Sequence, residues 1–512
     1  QGTVVTFAAP QDDKRSWLEI LKGVLHVISR DPRAIRVVTP FANAGIEGTE
    51  FLVQVGPDSA SVLVFEGRVR VENANGAATA GSGEGVLAKA GSAPVLQQVV
   101  RPRDQVVWTL YYPPTGSGPL PEADASEGGA PDQDFYIGRA ESRLAVGRVA
   151  EAEADLAEAL KVAPGSSEVL ARQSVIALTR NDAAAATEMA DRAVAGAPRS
   201  AAARLAQSYA RQSAADLPGA IATLEAAAAD HPTDALIRAR LAELYLASGD
   251  VDRSEASANA AVAADPSLGL ARTILGFAKL TRVQLDEARA AFGEAIRLEP
   301  NAPLARLGLG LAKIRDGDLA AGREEIETAV ILDPNNSLVR SYMGKAYYEE
   351  KRDSLAASQL AIAKELDPND PTPWFYDAIR LQKVNDPVGA LKDLQASILR
   401  NDRRVVFRSR LKLDEDLAAR SSALGRIFND LGFDELALRE GWASVAAEPA
   451  EHSGHRLLAD SYVTLPRHEI ARVSELQKSQ LLQPLNMTPV QPQLGDANLF
   501  VLDTAGPARI GF

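Results

Sequence analysis

Cysteine is absent from the 512 residues of the sequence, and this absence excludes disulfides, cysteine-ligated zinc and thiol catalysis. No run approaches the roughly 18 consecutive apolar residues that indicate a membrane-spanning helix. A basic excess is also lacking, since 68 acidic and 55 basic residues give a net charge of -13. Nucleic acid and anionic membrane surfaces attract basic stripes. We therefore expect no nucleic-acid binding and no direct membrane insertion within these residues.

The composition that remains is ordinary for a folded protein, with 46% hydrophobic and 24% charged residues. The chain is too long for one compact core, so two or more structural units are expected. It begins at Gln1 rather than at methionine and stops after Phe512. We interpret both ends as cuts, so that a targeting segment or a membrane part could lie beyond them.

A period of 34 residues runs through the middle of the chain. It is marked by prolines whose successive spacing is always 34, namely Pro164, Pro198, Pro232, Pro266, Pro300, Pro334 and Pro368. Small residues recur twelve positions before each of these loops, at Ala152, Ala186, Ala220, Ser254, Ala288, Gly322 and Ala356. Self-similarity at such a period indicates a repeat architecture, in which each unit buries its apolar face against its neighbours.

We call the residues at equivalent positions of successive repeats a column. The columns together resemble the tetratricopeptide repeat, whose pattern is W-x2-L-G-x2-Y, then A-x3-F, then P. The segments RLAELYLASGDVDRSEASANAAVAADP and RTILGFAKLTRVQLDEARAAFGEAIRLEP match it best. The resemblance implies a mainly α fold, a right-handed α-solenoid of about ten units. We assign eight in-register units to residues 134–402, and two divergent units with an insertion to residues 403–484.

The first part of the chain has a different pattern. Short stretches rich in valine and isoleucine alternate with glycine, proline and asparagine in residues 1–112, which predicts a small all-β domain. Three passages resemble the FecR domain, and the matching positions are Thr39, Pro40, Gly48, Thr49, Glu50, Phe51, Glu66 and Gly67. Residues 113–133 have the composition of a flexible linker, and residues 485–512 are interpreted as an extended connector.

The resemblance to tetratricopeptide repeats implies a concave groove lined by the first helix of each unit. At positions 2, 9 and 12 of those helices the sequence is more apolar than a solvated surface should be. The residues that predict a partner-binding groove are Leu236, Leu270, Leu304, Leu338, Tyr209, Phe277, Leu311, Leu246, Leu280, Ile314 and Tyr348. The alternative is that these side chains close the core between neighbouring units.

Position 4 of five consecutive units is an arginine. These residues are Arg204, Arg238, Arg272, Arg306 and Arg340. One interpretation is a ladder for an anionic or acidic partner. The other, which we favour, is that each aliphatic stem packs in the slot usually given to tryptophan, with the guanidinium paired to a neighbouring acid.

No set of residues indicates catalysis, a metal site or a cofactor. His452 and His455 lack a defined third ligand, so ordinary histidines are the better interpretation. Gly81, Gly83 and Gly85 are not followed by the helix and lysine that a phosphate-binding loop needs, so we assign them to strand turns.

The sequence therefore predicts a non-enzymatic protein–protein interaction scaffold. Its FecR-like part implies a bacterial cell-envelope address, periplasmic and with a possible outer-membrane association. One form of this protein would be the periplasmic part of an outer-membrane β-barrel protein, with envelope proteins as partners. The alternative is a FecR-like envelope sensor or signal transducer, which would need a transmembrane helix upstream.

Overall fold

The computed structural model describes residues 3–7, 16–29, 35–46, 50–99, 113, 115, 132–145, 148–180, 182–214, 216–400, 413–450 and 452–482. The chain divides into two compact units, residues 1–110 and residues 111–512. Residues 100–112 of the predicted all-β domain, most of the predicted linker, residues 403–412 at the start of the predicted divergent units and the C-terminal connector lie outside the described residues.

The first unit is rich in strands. They are β1 (Val4–Phe7), β2 (Ser16–Ile28), β3 (Ile35–Val38), β4 (Asn43–Ile46), β5 (Glu50–Val55), β6 (Ser59–Glu66), β7 (Arg68–Asn73), β8 (Gly76–Gly81), β9 (Glu84–Lys89) and β10 (Val95–Gln98). Their order in the sheet is β10-β9-β6-β5-β2-β3-β4-β7-β8, with β1 also paired to β2. Strands β2 and β3 are parallel, and the other described pairs are antiparallel.

The long strand β2 joins two halves of this sheet. Its first residues pair with β3, whereas the residues from Gly23 onward pair with β5. Gly23 has a φ of +105°, a backbone conformation that residues with a Cβ rarely adopt. Alternating side chains such as Phe51 and Val53 of β5 and Val69 and Val71 of β7 are buried together in one core.

The motif residues of the FecR resemblance have structural roles here. Thr39 closes a tight turn, because its Oγ1 donates to the carbonyl oxygen of Ala42 at 2.7 Å and accepts from the Ala42 amide at 3.0 Å. Glu50 and Glu66 face each other across β5 and β6 and are both buried. An oxygen of Glu50 lies 3.2 Å from Nε2 of His26.

The second unit contains helices throughout. The first helices of eight pairs are α1 (Gln133–Ala145), α3 (Ser167–Thr179), α5 (Ala201–Ser213), α7 (Ala235–Ser248), α9 (Gly269–Thr281), α11 (Pro303–Arg315), α13 (Ser337–Glu349) and α15 (Pro371–Lys383). Their second helices are α2 (Val149–Val162), α4 (Ala183–Gly196), α6 (Leu217–Asp230), α8 (Val251–Ala264), α10 (Leu285–Leu298), α12 (Leu319–Leu332), α14 (Asp353–Leu366) and α16 (Pro387–Leu399). The seven periodic prolines lie between the pairs, which confirms the predicted helical solenoid.

Two further pairs follow. They are α17 (Leu413–Asp430) with α18 (Asp434–Ala447), and α19 (His452–Ser461) with α20 (Glu469–Leu482), the last two joined through a 3₁₀ turn at Tyr462–Thr464. Throughout the second unit, the main contacts of each helix are with helices one or two places away along the chain. None of the described helices combines the length and the apolar character that crossing a membrane would require.

Local sequence explains where the helices begin. The side chain of Asp234 accepts hydrogen bonds from the amides of Leu236 and Ile237 at the start of α7, at 2.9 and 3.0 Å. Such a cap satisfies donors that have no partner inside the helix. Leu268 cannot supply one at α9, and Oε1 of Glu299 accepts from the Gly269 amide instead, at 2.9 Å.

The turns inside the five pairs from α7–α8 to α15–α16 share one backbone geometry. Residues 34 apart adopt a positive φ there, namely Gly249 (+91°), Val283 (+62°), Gly317 (+100°), Lys351 (+61°) and Asn385 (+63°). Glycine and asparagine tolerate this region, whereas a β-branched residue such as valine is strained in it. The repeat geometry is therefore imposed even where the local residue opposes it.

Candidate functional site

The sequence singled out positions 2, 9 and 12 of the first helices. We use the name first-helix face for the side chains at positions 2, 6, 9, 12 and 13 of α5, α7, α9, α11, α13 and α15. Nine of the eleven predicted groove residues are no more than 9% exposed. They are Leu236, Leu270, Leu338, Phe277, Leu311, Leu246, Leu280, Ile314 and Tyr348. The other two, Leu304 and Tyr209, are half-buried.

This burial follows from how the first helices pack. Helix α7 lies against α9, and α13 lies against α15. The buried side chains at positions 2 and 12 contribute to the core of the repeats. The apolar column accordingly does not form an open stripe, and only its half-buried members Leu304 and Tyr209 retain appreciable exposure.

The arginine column is engaged within the chain. The Nε atoms of Arg204, Arg238 and Arg340 donate to the carbonyl oxygens of Pro198, Pro232 and Pro334, at 2.8, 2.9 and 2.9 Å. Each arginine thus fastens its own helix to the proline loop six residues earlier.

The other two arginines of the column differ from these three. Arg306 forms an ion pair with Glu325 of α12 at 2.8 Å. Arg272 acts on Glu294, whose pKa is lowered first by Arg297 and to a smaller extent by the charge of Arg272. The interpretation that we favoured from the sequence was a packed aliphatic stem with the guanidinium paired to a neighbouring acid. Arg306 has such an acidic partner. For three others the partner is a backbone carbonyl rather than an acid.

Cations and tyrosines meet on the first-helix face at α13 and α15. The ammonium of Lys345 lies 5.1 Å from the ring centroid of Tyr348 and 5.9 Å from that of Tyr376. The ammonium of Lys383 lies 4.8 Å from the centroid of the same Tyr348 ring. Two ammonium groups therefore share one aromatic ring, and such contacts are worth about 0.5–2 kcal/mol each.

The two lysines of this cluster have different partners. Lys345 is buried and forms an ion pair with Glu349 on its own helix. Lys383 is exposed, and no carboxylate in the described part of the chain lies within ion-pairing distance of its ammonium. Partial burial lowers the pKa of Lys383, and the negative charge of Glu349 opposes this effect. A partner carboxylate placed here would favour the charged form of this lysine.

A second cluster of similar type lies between α5 and α7. The guanidinium carbon of Arg240 stacks 3.9 Å from the ring centroid of Tyr209, and its Nη1 lies 2.6 Å from an oxygen of Glu243. Arg240 also contacts Ser208 and Gln212. Because Arg240 is fully buried and its charge is matched by Glu243, this cluster joins two units and offers no free charge.

The sequence reasoning missed Lys345, Lys383 and Tyr376. A signal for them was present, since Tyr342 and Tyr376 are 34 residues apart and share position 6, while Glu349 and Lys383 share position 13. Searching the columns for charged and aromatic residues, and not only for apolar ones, would have found this cluster.

The C-terminal histidines have ordinary contacts. One ring nitrogen of His455 contacts Glu475 of α20, and the other lies 2.8 Å from the carbonyl oxygen of Pro449. His468 stacks on Tyr462 with ring centroids 5.3 Å apart. Among the residues that the structure describes, no three histidine, aspartate or glutamate side chains are grouped as metal ligands would be.

The fold and the first-helix face define the chain as a helical repeat protein that carries a small strand-rich unit. Comparison with family models gives both parts a name. Residues 1–70 match the FecR protein family, and residues 137–201, 212–273 and 278–337 match tetratricopeptide repeats. The chain is a tetratricopeptide-repeat protein with an N-terminal FecR-like domain.

Solved structures show the same helical architecture. The APC/C hetero-tetramer Cut9–Hcn1 is 16% identical, with a TM-score of 0.56 over 72% of this chain and 76% of that chain. This likeness shows a shared fold.

Two shorter matches have lower TM-scores. A putative anti-sigma factor from Parabacteroides distasonis is 18% identical, with a TM-score of 0.19 over 21% of this chain and 52% of that one. YrrB, a tetratricopeptide-repeat protein with an unusual peptide-binding site, is 21% identical, with a TM-score of 0.26 over 35% and 91%. No curated protein sequence matches the chain significantly.

Proposed function

We propose that this protein is a non-enzymatic scaffold of the bacterial cell envelope that holds a protein partner on its first-helix face. Tetratricopeptide repeats are generally protein-interaction modules, and FecR is an envelope-associated family, so the two matches support this combination. The partner would be another envelope protein, and the location periplasmic.

The observation that carries the proposal is the exposed ammonium of Lys383 over the ring of Tyr348. Among the described residues no carboxylate forms an ion pair with this ammonium, and Glu349, whose charge acts on it, is already paired with the buried Lys345. A partner segment with an acidic side chain would supply the missing charge.

The test is a charge reversal with a matched control. Lys383→Glu removes the proposed contact on the first-helix face, whereas Lys392→Glu makes the same change on the exposed side of α16, a second helix. Tagged full-length forms of both would be expressed in the native bacterium, crosslinked and purified for mass spectrometry. We expect at least one envelope protein to be captured by the parent and the Lys392 variant but not by the Lys383 variant. Equal capture by all three would refute the site.

Location is tested separately. Fractionation of cells carrying the tagged full-length chain should recover it with periplasmic or outer-membrane markers. Recovery with cytoplasmic markers would contradict the envelope assignment even if a partner were captured.

The FecR match also favours a second candidate function, a sensor or signal transducer in which the strand-rich unit detects a receptor state. The two candidates differ in what the loss of the protein does. Deletion of a transducer should change transcription of its target genes within one induction cycle, whereas deletion of a scaffold should change the abundance or assembly of its partner first.

A further inference from the structure

The last described helix, α20, has its polar and apolar sides reversed. Its buried residues are Glu475 and Ser479, which are both polar. Three of its large apolar side chains point outward instead: Ile470 is 88% exposed, Val473 61% and Leu481 77%. Packing on the rest of the protein therefore does not explain the apolar residues of this helix.

The exposed residues form one stripe. At about 100° per residue, Ile470, Val473 and Leu481 fall within an arc of about 80° on the helix surface. Glu475 and Ser479 lie on the opposite side. A contact holds that side inward, because Glu475 pairs with His455 of α19. The ammonium of Lys478, on the same helix, lies 2.7 Å from the other oxygen of Glu475. The helix cannot rotate to bury its apolar stripe without separating Glu475 from His455.

Second helices inside the solenoid have the usual arrangement. In α10 the buried residues are Ala288, Phe292 and Ala295, and the exposed side carries Asp286 and Glu287. A terminal repeat normally presents a polar outer side so that the solenoid ends in solvent. Helix α20 is the last described repeat helix and has an apolar outer side, which identifies a contact surface.

The chain beyond α20 has the composition to cover this surface. Residues 483–512 contain three charged residues in thirty, Asp496, Asp503 and Arg509, against 24% for the whole chain. They include ten large apolar residues, with Leu499, Phe500, Val501 and Leu502 in an unbroken run.

Distance allows the contact as well. Helix α20 has 14 residues and is therefore about 20 Å long. The 16 residues between Leu482 and Leu499 can span up to about 50 Å. The apolar run can thus return to any point of the stripe.

We propose that the segment 485–512 of this same chain docks on the stripe formed by Ile470, Val473 and Leu481, with residues 499–502 as its anchor. The segment would give the solenoid the outer layer that α20 lacks. This surface is at the end of the repeats, and the inference does not depend on partner binding at the first-helix face.

The test uses a photo-crosslinking amino acid at position 473 of the full chain. A matched control carries it at position 388, another exposed valine on a second helix, which is 66% exposed. Equal amounts of ¹⁴N-labelled and ¹⁵N-labelled protein are mixed, irradiated and digested. Mass spectrometry then shows whether each crosslink joins one molecule or two.

We expect crosslinks from position 473 to residues 485–512 within the same molecule, on the order of tenfold more abundant than from position 388, because a tethered segment has an effective concentration near millimolar. The change Phe500→Asp should reduce them to the control level. Mixed-isotope crosslinks would instead identify a second copy as the occupant and overturn the proposal. Absence of crosslinks to residues 485–512 would overturn it as well.

Discussion

Phe292 of α10 packs its ring against Gly276 of α9, so closely that a Cβ on the glycine would lie 2.6 Å from Cε1 of the ring. The ring centroid of Phe277, the next residue on α9, lies 5.0 Å from that of Phe292. The Leu-Gly pair of the repeat pattern is thus explained by sterics, since the glycine leaves room for the large residue of the second helix.

The first prediction follows from this contact. Gly276→Ala should destabilise the protein by about 1–3 kcal/mol through overpacking, although alanine favours helix by about 1 kcal/mol. The control is Gly293→Ala on α10, where a Cβ would meet nothing within 4 Å, and which should stabilise the helix by up to about 1 kcal/mol. Urea unfolding measures both. A stabilising effect of the same size in both variants would show that Phe292 does not need the glycine.

The second prediction concerns the strained turn at Val283. Because its φ is +62°, Val283→Gly should raise the free energy of unfolding by about 1 kcal/mol. Val384→Gly is the matched control, since this exposed valine precedes the equivalent turn at a φ of -84°, where glycine has no advantage and loses more chain entropy. A thermal melt of each variant is sufficient. A lower melting temperature for the Val283 variant than for the control would contradict the strain.

The third prediction is a pH dependence at Asp333, in the loop after α12. Burial raises the pKa of Asp333 from 3.8 to about 6, although a hydrogen bond from Asn336 and the charge of Arg340 oppose the effect. The folded state therefore binds the proton more tightly than the unfolded state. Stability from this group is full below pH 4 and is lost as the pH rises toward 6.

Asp333→Asn removes this loss. The variant should match the parent near pH 4 and exceed it near pH 7 by on the order of 2 kcal/mol. Urea unfolding at a series of pH values gives the difference curve, in which contributions from other carboxyls cancel. A difference that does not change between pH 4 and pH 7 would show that Asp333 titrates normally.

The fourth prediction separates the arginines of the column by burial. Arg340 is fully buried and donates to Pro334 and, at 2.8 Å, to Gln359. Arg340→Leu should cost about 2–4 kcal/mol, because buried acceptors lose their donor. Arg204→Leu removes a similar contact at a half-exposed position, where water can replace the guanidinium, and should cost less than about 1 kcal/mol. Equal losses in chemical denaturation would mean that burial does not set the cost.

The solenoid could be predicted from spacing because close helix crossings admit only small residues, and Ala288 and Ala295 in their columns are fully buried. The role of Arg340 could be predicted only in part. Its packing followed from its column, but its partner is a backbone carbonyl, and nothing in the side-chain pattern distinguishes that acceptor from an acid.

The first-helix face was harder to predict. Apolar residues such as Leu236 and Leu338 occupy positions that line a groove in the related repeats, yet here they are buried, and first helices such as α7 and α9 contact each other. How tightly neighbouring first helices close depends on the packing angle between units, which no single column encodes. The outward apolar stripe of α20 was missed for another reason, since Glu475 at a core position opposes the expected pattern and is accommodated by His455.

The arrangement in which each helix chiefly contacts its near neighbours has a mechanical consequence. A solenoid of this kind has no long-range contact that locks the two ends together. Tension applied along it should therefore detach one unit at a time, and each detached unit of 34 residues releases roughly 110 Å of chain. Such a molecule yields in small reversible steps where a compact domain would rupture at once, so it can remain attached at both ends while the distance between them changes.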